Sequence, residues 1–311
     1  MATHAHTGNR QLFCDYFREW VDCYKRGAVA PVTLRKYLMT LQRLTEIAPA
    51  VRLTELNRRS YQYILNQYAV THEKQTVLDF HRQLHSCILD ALDDGVISAD
   101  PTRRATIKGK APQARKMKYL SHAELTSLIG TLTFSDQPSW DWFILLVAKT
   151  GMRFAEALAF APNDLVQATG QIKVWHTWDY KSAHGGFGPT KNQSSERLIP
   201  VDCNLANQLE SLAIGHQQSE PLFVDGRVFN STANTRLAEL CREAGVPVIT
   251  IHGLRHTHAS VLLHEGVSIA SIAKRLGHAN ITTTQQTYLH IIRELEDKDN
   301  DKVVRYLETL A

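Results

Sequence analysis

From Pro101 to Lys118 the chain holds seven basic residues and no acidic one, and the hydrophobic period differs on the two sides of this stretch. Before it the pattern is helical throughout. Phe13, Phe17, Trp20, Val21 and Tyr24 recur at helical spacing within Gln11 to Lys25, and Leu34, Tyr37, Leu38, Leu41 and Leu44 repeat the pattern. Leu53 to Tyr68 and Thr71 to Leu92 continue it, the last with Val77, Phe80, Leu84, Ile88 and Ala91 on one face, until Gly95 and Pro101 end it. Residues 10–100 are therefore expected to form a bundle of four or five helices, preceded by a disordered segment at 1–9.

Beyond the basic stretch the signals are mixed. Ser121 with Glu124 makes a capping box that opens a helix from Ser121 to Leu132. Trp142 to Lys149 is apolar enough for a buried helix, and Arg153 to Phe160 continues helical past the turn at Gly151. Gln171 to Trp178 and Glu196 to Val201 are then rich in β-branched and aromatic residues, which predicts strands of a small antiparallel sheet with a mobile hairpin across Ser182 to Ser195. Helices return from Asn204 onward, at Thr232 to Ala244, His252 to His264, Ser268 to Leu276, Thr282 to Ile292 and Lys302 to Leu310. The expected fold class is mainly α with a small antiparallel β-sheet: a helical domain at 10–100, a basic linker at 101–118, a mixed α/β domain at 119–293 and a tail at 294–311. A length of 311 residues lets two such domains each bury a core.

Charge is informative through its distribution. The net charge is +4, from 35 basic and 31 acidic residues; removing Arg103, Arg104, Lys108, Lys110, Arg115, Lys116 and Lys118 leaves 28 against 31, or −3. The positive excess thus sits in one segment, which either tracks a phosphate backbone or is a solvated, flexible linker. Arg35, Lys36 and Arg43 lie off the apolar stripe of the second helix and face the same choice. An apolar share of 43% and a charged share of 21% are those of a globular protein. The longest strongly apolar run, Trp142 to Ala148, is too short to span a bilayer. Met1 to Arg10 is polar and lacks a secretory signal, so the expected compartment is the cytoplasm. The five cysteines form no C-x-x-C pair, which argues against disulfides and a cysteine zinc site; they are expected to be reduced and mostly buried. His252, His256 and His258 raise the question of a metal cluster, but on one helix His256 and His258 point in different directions and no acidic ligand follows. No metal and no cofactor are expected.

Four patches of the second domain hold the residue types that metal-free phosphodiester chemistry requires. Thr150-Gly151-Met152-Arg153-Phe154-Ala155-Glu156 puts an arginine at a helix start, where its planar fork can meet a phosphate, with Glu156 three residues on to hold the guanidinium. In Ile251-His252-Gly253-Leu254-Arg255-His256, His252 and Arg255 share a helical face beside a titratable imidazole. Leu276-Gly277-His278 leaves a histidine on a connecting loop, where it caps a helix end or faces a ligand. Thr287-Tyr288-Leu289-His290 follows, with Tyr288 ten residues after His278.

The ordered set Arg153, Lys191, His252-x-x-Arg255, Leu276-Gly277-His278 and Tyr288 resembles the tyrosine recombinases, the phage-integrase family, from about Lys118 to Ile292. The preceding bundle, with its closing Gly95-Val96-Ile97-Ser98-Ala99-Asp100-Pro101, resembles the core-type DNA-binding domain of the same family. The resemblance implies that Arg153 and Arg255 clamp the scissile phosphate, that Lys191 protonates the departing 5′ oxygen, with Lys181 a nearby competitor, and that His252 assists proton transfer. His278 would bond the phosphate, Glu156 orient the pocket and His256 support it. Tyr288 would be the nucleophile, giving a 3′ phosphotyrosyl intermediate without ATP or metal.

The implied function is site-specific recombination, as integrase or excisionase of a mobile genetic element in a bacterial or phage-infected cell. The implied partners are double-stranded DNA, three further copies of the chain in a tetramer on synapsed DNA, and accessory directionality or DNA-bending proteins. The two domains would clamp duplex DNA, with Arg35, Lys36, Arg43, Arg103, Arg104, Lys108, Lys110, Arg115 and Lys116 on phosphates. The acid-rich stretch Glu294 to Asp301, followed by Val303, Val304, Leu307 and Leu310, would dock on a neighbouring protomer or on its own domain. Many family members carry a further arm-binding domain, and only about ten residues precede the first helix here; the chain either lacks that module or is a piece of a longer one. Three other readings remain open: a type IB topoisomerase, a DNA-binding regulator of the same fold without catalysis, and a metal-dependent nuclease.

Overall fold

The structure is a computed structural model, which describes residues 11–111, 119–182, 184–190, 192–282, 284–288 and 306–308. The expectations for 1–9, Arg115, Lys116, Lys118, Lys191 and the tail outside 306–308 fall on residues beyond these. The chain divides into two compact units, Met1–Arg115 and Lys116–Ala311. It is mainly helical, with small antiparallel sheets in the second unit.

Among the described residues the first unit holds four α-helices: α1 (Phe13–Tyr24), α2 (Pro31–Ile47), α3 (Arg58–Ala69) and α4 (Lys74–Asp93). Their apolar stripes meet in one core that includes Phe13, Phe17, Trp20, Leu44, Tyr61, Ile64, Phe80, Leu84 and Ile88. Each such side chain stabilises the unit by about 1.5–3 kcal/mol through burial. Polar tips find partners inside: Trp20 Nε1 donates to Asp90 Oδ2 at 2.6 Å, and Tyr61 Oη meets His81 Nδ1 at 2.8 Å. The sequence suggests one helical run from Leu53 to Tyr68; instead a 3-10 turn at Leu53–Glu55 precedes α3. Asn57 makes the break, because its Oδ1 accepts from the Arg59 and Ser60 amides while Ser60 Oγ accepts from the backbone amide of Asn57.

The expected linker at 101–118 needs correction over its first half. Pro101 and Thr102 are buried, and Thr102 Oγ1 meets His85 Nδ1 at 2.6 Å. Gln62 grips Thr106 at both ends, accepting from its amide at 2.8 Å and donating to its carbonyl at 2.9 Å. Ala105 and Ile107 pack on the core, and the Lys110 amide donates to His72 O at 2.8 Å. The alternating apolar residues of Ala105-Thr106-Ile107 anchor this strip, while Arg103, Arg104, Lys108 and Lys110 remain exposed. Arg35, Lys36 and Arg43 are exposed on α2, and Arg43 pairs with Glu46 at 2.6 Å.

The second unit contains α5 (His122–Gly130), α6 (Trp140–Thr150), α7 (Phe154–Leu158), α8 (Cys203–Leu212), α9 (Asn230–Glu243), α10 (Ile251–His264) and α11 (Ile269–Leu276). The capping box at Ser121 and Glu124 is formed on both sides. Helix α6, buried nearly all round, is the central element and packs along α10. Strands β1 (Leu165–Val166), β2 (Gln171–Val174) and β5 (Arg197–Pro200) form an antiparallel sheet in the order β1-β2-β5, in which Ile172 faces Ile199. Strands β3 (His176–Trp178) and β4 (Phe187–Pro189) pair separately, so Gln171 to Trp178 is two strands rather than one. Buried Asp164 marks the change of partner by accepting from Trp175 Nε1 at 2.6 Å and meeting His176 Nε2 at 3.1 Å. Residues 284–288 are helical. Among the described residues, no helix is long and apolar enough to cross a membrane, and the cysteines are free. Cys14, Cys87 and Cys241 are buried; Cys23 and Cys203 are exposed.

Candidate active site

Two helix ends build the site. Helix α6 stops at Gly151 (φ +68°) and α11 at Gly277 (φ +67°), both left-handed, a conformation that costs other residues about 1–2 kcal/mol. Space also demands glycine: an added Cβ would stand 2.7 Å from His258 Cδ2 at position 151 and 2.9 Å from Arg197 Nη1 at position 277. The last carbonyls of a helix have no donor within it and carry its negative end. Here cationic side chains take them. Arg255 donates to Gly151 O at 2.6 Å and Leu276 O at 2.7 Å; Arg153 Nη2 donates to Gly277 O at 2.9 Å. Arg197 Nε reaches Arg275 O at 2.6 Å, and Arg275 reaches Lys149 O at 3.0 Å and Pro200 O at 2.9 Å.

Arg153 caps the N-terminus of α7, and Glu156 at the third position of that helix turns back to it. Glu156 Oε2 accepts from the Arg153 amide at 2.9 Å and Oε1 from Arg153 Nη1 at 2.6 Å. Arg197 Nη2 donates to Glu156 Oε2 at 2.9 Å. Burial alone would raise the Glu156 carboxyl, which is 2% exposed, but Arg197 and then Arg153 hold it down at about 2. Two guanidinium groups, those of Arg153 and Arg197, thus bind one carboxylate, with the Arg255 guanidinium near enough to feel its charge. The Arg153 side chain is 29% exposed, so part of this positive excess faces outward.

Helix α10 buries Arg255 and His258 and carries His252 and His256 one turn apart with their rings in contact. Arg255 is 3% exposed; burial, and then Arg153, lower its pKa to about 9, which leaves it charged at neutral pH. His278 Nε2 accepts from Arg255 Nη2 at 3.1 Å, so the ring hydrogen sits on Nδ1, 2.7 Å from Thr284 Oγ1. Burial first, then Arg255 and Arg153, push His278 down to about 4 and keep it neutral. Tyr288 packs among Ala259, Leu263, Ile272 and Leu276 and is 2% exposed. Burial raises its pKa, against the pull of Arg255. Its Oη lies 2.9 Å from His256 Nδ1, and His256 Nε2 lies 3.2 Å from the Nε2 of exposed His252.

The fold thus gathers Arg153, Glu156, Arg255 and His278 at the two helix ends, and sets Tyr288, His256 and His252 in a second chain of contacts along α10. Arg255 turns inward to the helix ends, whereas His252 is exposed and lies beside His256, which meets the tyrosine. Lys191 lies outside the described residues. Lys181 is exposed, 5.8 Å from the Tyr180 ring centroid. His258 belongs to the scaffold, between Ala148 O at 2.8 Å and Arg275 Nε at 2.9 Å, and burial lowers it to about 3. Sequence reasoning missed Arg197, Arg275, Ser195 and Thr284. Arg197 alone left a trace, as a charge inside an apolar strand pattern. Among the described residues no three His, Cys, Asp or Glu side chains group as metal ligands.

A helical unit followed by a mixed unit whose arginine, histidine and tyrosine side chains meet at two helix ends is the arrangement of a tyrosine recombinase. The model of the phage integrase family matches residues 118–294, and the chain belongs to that family. It is similar to the integrase of Staphylococcus phage L54a, with 34% identity over 49% of each chain. It is also similar to tyrosine recombinase XerC of Shewanella sp. (strain W3-18-1), with 26% identity over 81% of this chain and 82% of that one. Against the first relatives, the L54a and Bacillus subtilis ICEBs1 integrases, it spans about half the length, 49% and 55%. The fold is shared with the Tn1549 transposon integrase bound to transposon right end DNA (TM-score 0.75, 16% identity, 93% of this chain and 99% of that one). It is shared too with a lambda integrase tetramer bound to a Holliday junction (TM-score 0.68, 15% identity, 89% and 80%).

Proposed function

We propose that the chain is a site-specific DNA recombinase that cleaves and rejoins DNA through a 3′ phosphotyrosyl bond to Tyr288. The observation that carries this reading is the cluster of Arg153 and Arg197 on the Glu156 carboxylate, with Arg255 close by on the helix whose His256 faces the buried Tyr288 phenol. Such an excess of fixed positive charge suits a dianionic pentacoordinate phosphate, and its preorganisation stabilises the transition state without reorganisation. Arg153, outward-facing, and Arg255, behind it, hold the non-bridging oxygens, with His278 beside them. Tyr288 Oη attacks phosphorus and the 5′ oxygen leaves. Lys191, joined directly to Asn192, is the donor to that oxygen: Asn192 Oδ1 accepts from Ser195 Oγ at 2.7 Å, and Arg153 Nη1 donates to the same hydroxyl at 3.4 Å. The phosphotyrosine keeps the bond energy, so a 5′ hydroxyl of a partner duplex can reverse the step without ATP.

The DNA-bound neighbours of the same fold support double-stranded DNA as the partner, and the Holliday-junction complex supports a tetramer of this chain on synapsed DNA. Arg35, Lys36, Arg103, Arg104, Lys108 and Lys110, all exposed, serve as phosphate contacts of the first unit. The test uses a nicked suicide duplex carrying the site that the protein selects from a randomised pool. Wild type is expected to form a covalent protein–DNA adduct in EDTA and to transfer the strand to a second duplex; Tyr288→Phe forms none. An equal adduct with Tyr288→Phe sinks the assignment, and religation without exchange makes the protein a topoisomerase.

A further inference from the structure

We propose that His256 and His252 form a two-imidazole proton wire, in which His256 is the base that takes the proton of the attacking Tyr288. The inference rests on the phosphotyrosyl reading and deepens it. Residues 252 and 256 are one helical turn apart on α10, so their rings fall on one side of the helix. Their centroids are 4.6 Å apart at 82°, with Nε2 facing Nε2 at 3.2 Å, while Nδ1 of His256 faces Tyr288 Oη at 2.9 Å. In the protonation pattern that the wire requires, the phenol donates to Nδ1 of His256, whose Nε2–H donates to Nε2 of His252.

The wire answers a need that the packing creates. A phenol sealed among Ala259, Leu263, Ile272 and Leu276 is reluctant to ionise, yet it must lose its proton as it attacks. His256 is half-buried and His252 is exposed, so the two rings connect the buried oxygen to water in two steps. As the bond from Oη to phosphorus forms and the bond to the 5′ oxygen breaks, the phenolic proton passes to His256 Nδ1. The Nε2 proton of His256 passes to Nε2 of His252, and the leaving oxygen takes its proton from the Lys191 ammonium, the donor of the proposed reaction. One proton is removed on the nucleophile side and one is supplied on the leaving side.

The experiment measures single-turnover cleavage of the suicide duplex by wild type, His256→Phe, His256→Asn and Tyr288→Phe, with DNA affinity measured alongside to register folding. Each duplex is made with an oxygen and with a sulfur at the 5′ bridging position, because a thiolate leaves without protonation. His256→Phe is expected to lose about 10²- to 10⁴-fold in rate on both duplexes at unchanged affinity. Asparagine can hold the phenol through its side-chain oxygen but cannot accept the proton, so His256→Asn is expected to stay slow. The proposal is overturned by near wild-type cleavage in His256→Phe, by recovery of that variant on the sulfur duplex, which moves its role to the leaving group, or by recovery in His256→Asn, which leaves only positioning. If His256→Phe loses affinity through misfolding, His256→Asn alone decides. An adduct formed by Tyr288→Phe sinks the underlying reading instead.

Discussion

At the scale of single residues the site depends on Glu156 more than on any other carboxylate described. It holds two arginines at once, and neutralising it leaves the nearly buried Arg197 without its ion pair. Glu156→Gln is expected to lower unfolding stability by about 3–5 kcal/mol in denaturant titration and to slow cleavage. Protonation acts in the same direction. His258, His278 and Glu156 all have folded pKa values below their ordinary ones, at about 3, 4 and 2, so the unfolded chain binds protons first on acidification. Stability is therefore full above about pH 6.5 and is lost as pH falls towards 3. A melting midpoint lower at pH 5 than at pH 7.5 is expected; an unchanged midpoint contradicts these assignments. Much of this was illegible in the sequence. The i, i+3 spacing revealed the Arg153–Glu156 pair, whereas Arg275 finds its acceptors on Lys149 and Pro200, far along the chain, and no local spacing points there.

Among the elements, the long helices announced themselves because each lays an uninterrupted apolar stripe on a core, as α1 and α4 do. The two-residue β1 and three-residue β4 left no periodic signal. The single strand expected over Gln171 to Trp178 failed because a tertiary partner, Asp164, divides it. Gly151 and Gly277 were visible as helix stops, but not as the donors' landing points. Alanine at either position adds a clash to the backbone strain, whereas at Gly245, with φ +67° and open space, it adds strain alone. Gly245→Ala is expected to cost about 1–2 kcal/mol, and Gly277→Ala and Gly151→Ala more, with cleavage impaired only in the latter pair. Equal losses of stability at the three positions, read by urea unfolding, would count against the tight approach at 151 and 277.

For the molecule as a whole, each unit owns a closed hydrophobic cluster, and the boundary falls between Arg115 and Lys116. Residues 11–115 and a chain beginning at Lys116 are each expected to unfold cooperatively on their own; a non-cooperative melt of either, followed by circular dichroism, would show that its core needs the other. The basic stretch stood out in the sequence as either a phosphate-tracking segment or a flexible linker, and its net positive charge says nothing about the Gln62 clasp on Thr106.

The guanidinium groups of the site are strung largely on main-chain oxygens, those of Lys149, Gly151, Pro200, Ser195, Arg275, Leu276 and Gly277. A side-chain library built around the pocket leaves every one of those acceptors in place. Changing the grip on the arginines calls for a different kind of edit: an inserted or deleted residue after α6 or α11, or an ester replacing the peptide link at Gly277, which weakens one oxygen while leaving the genetic message for every side chain intact.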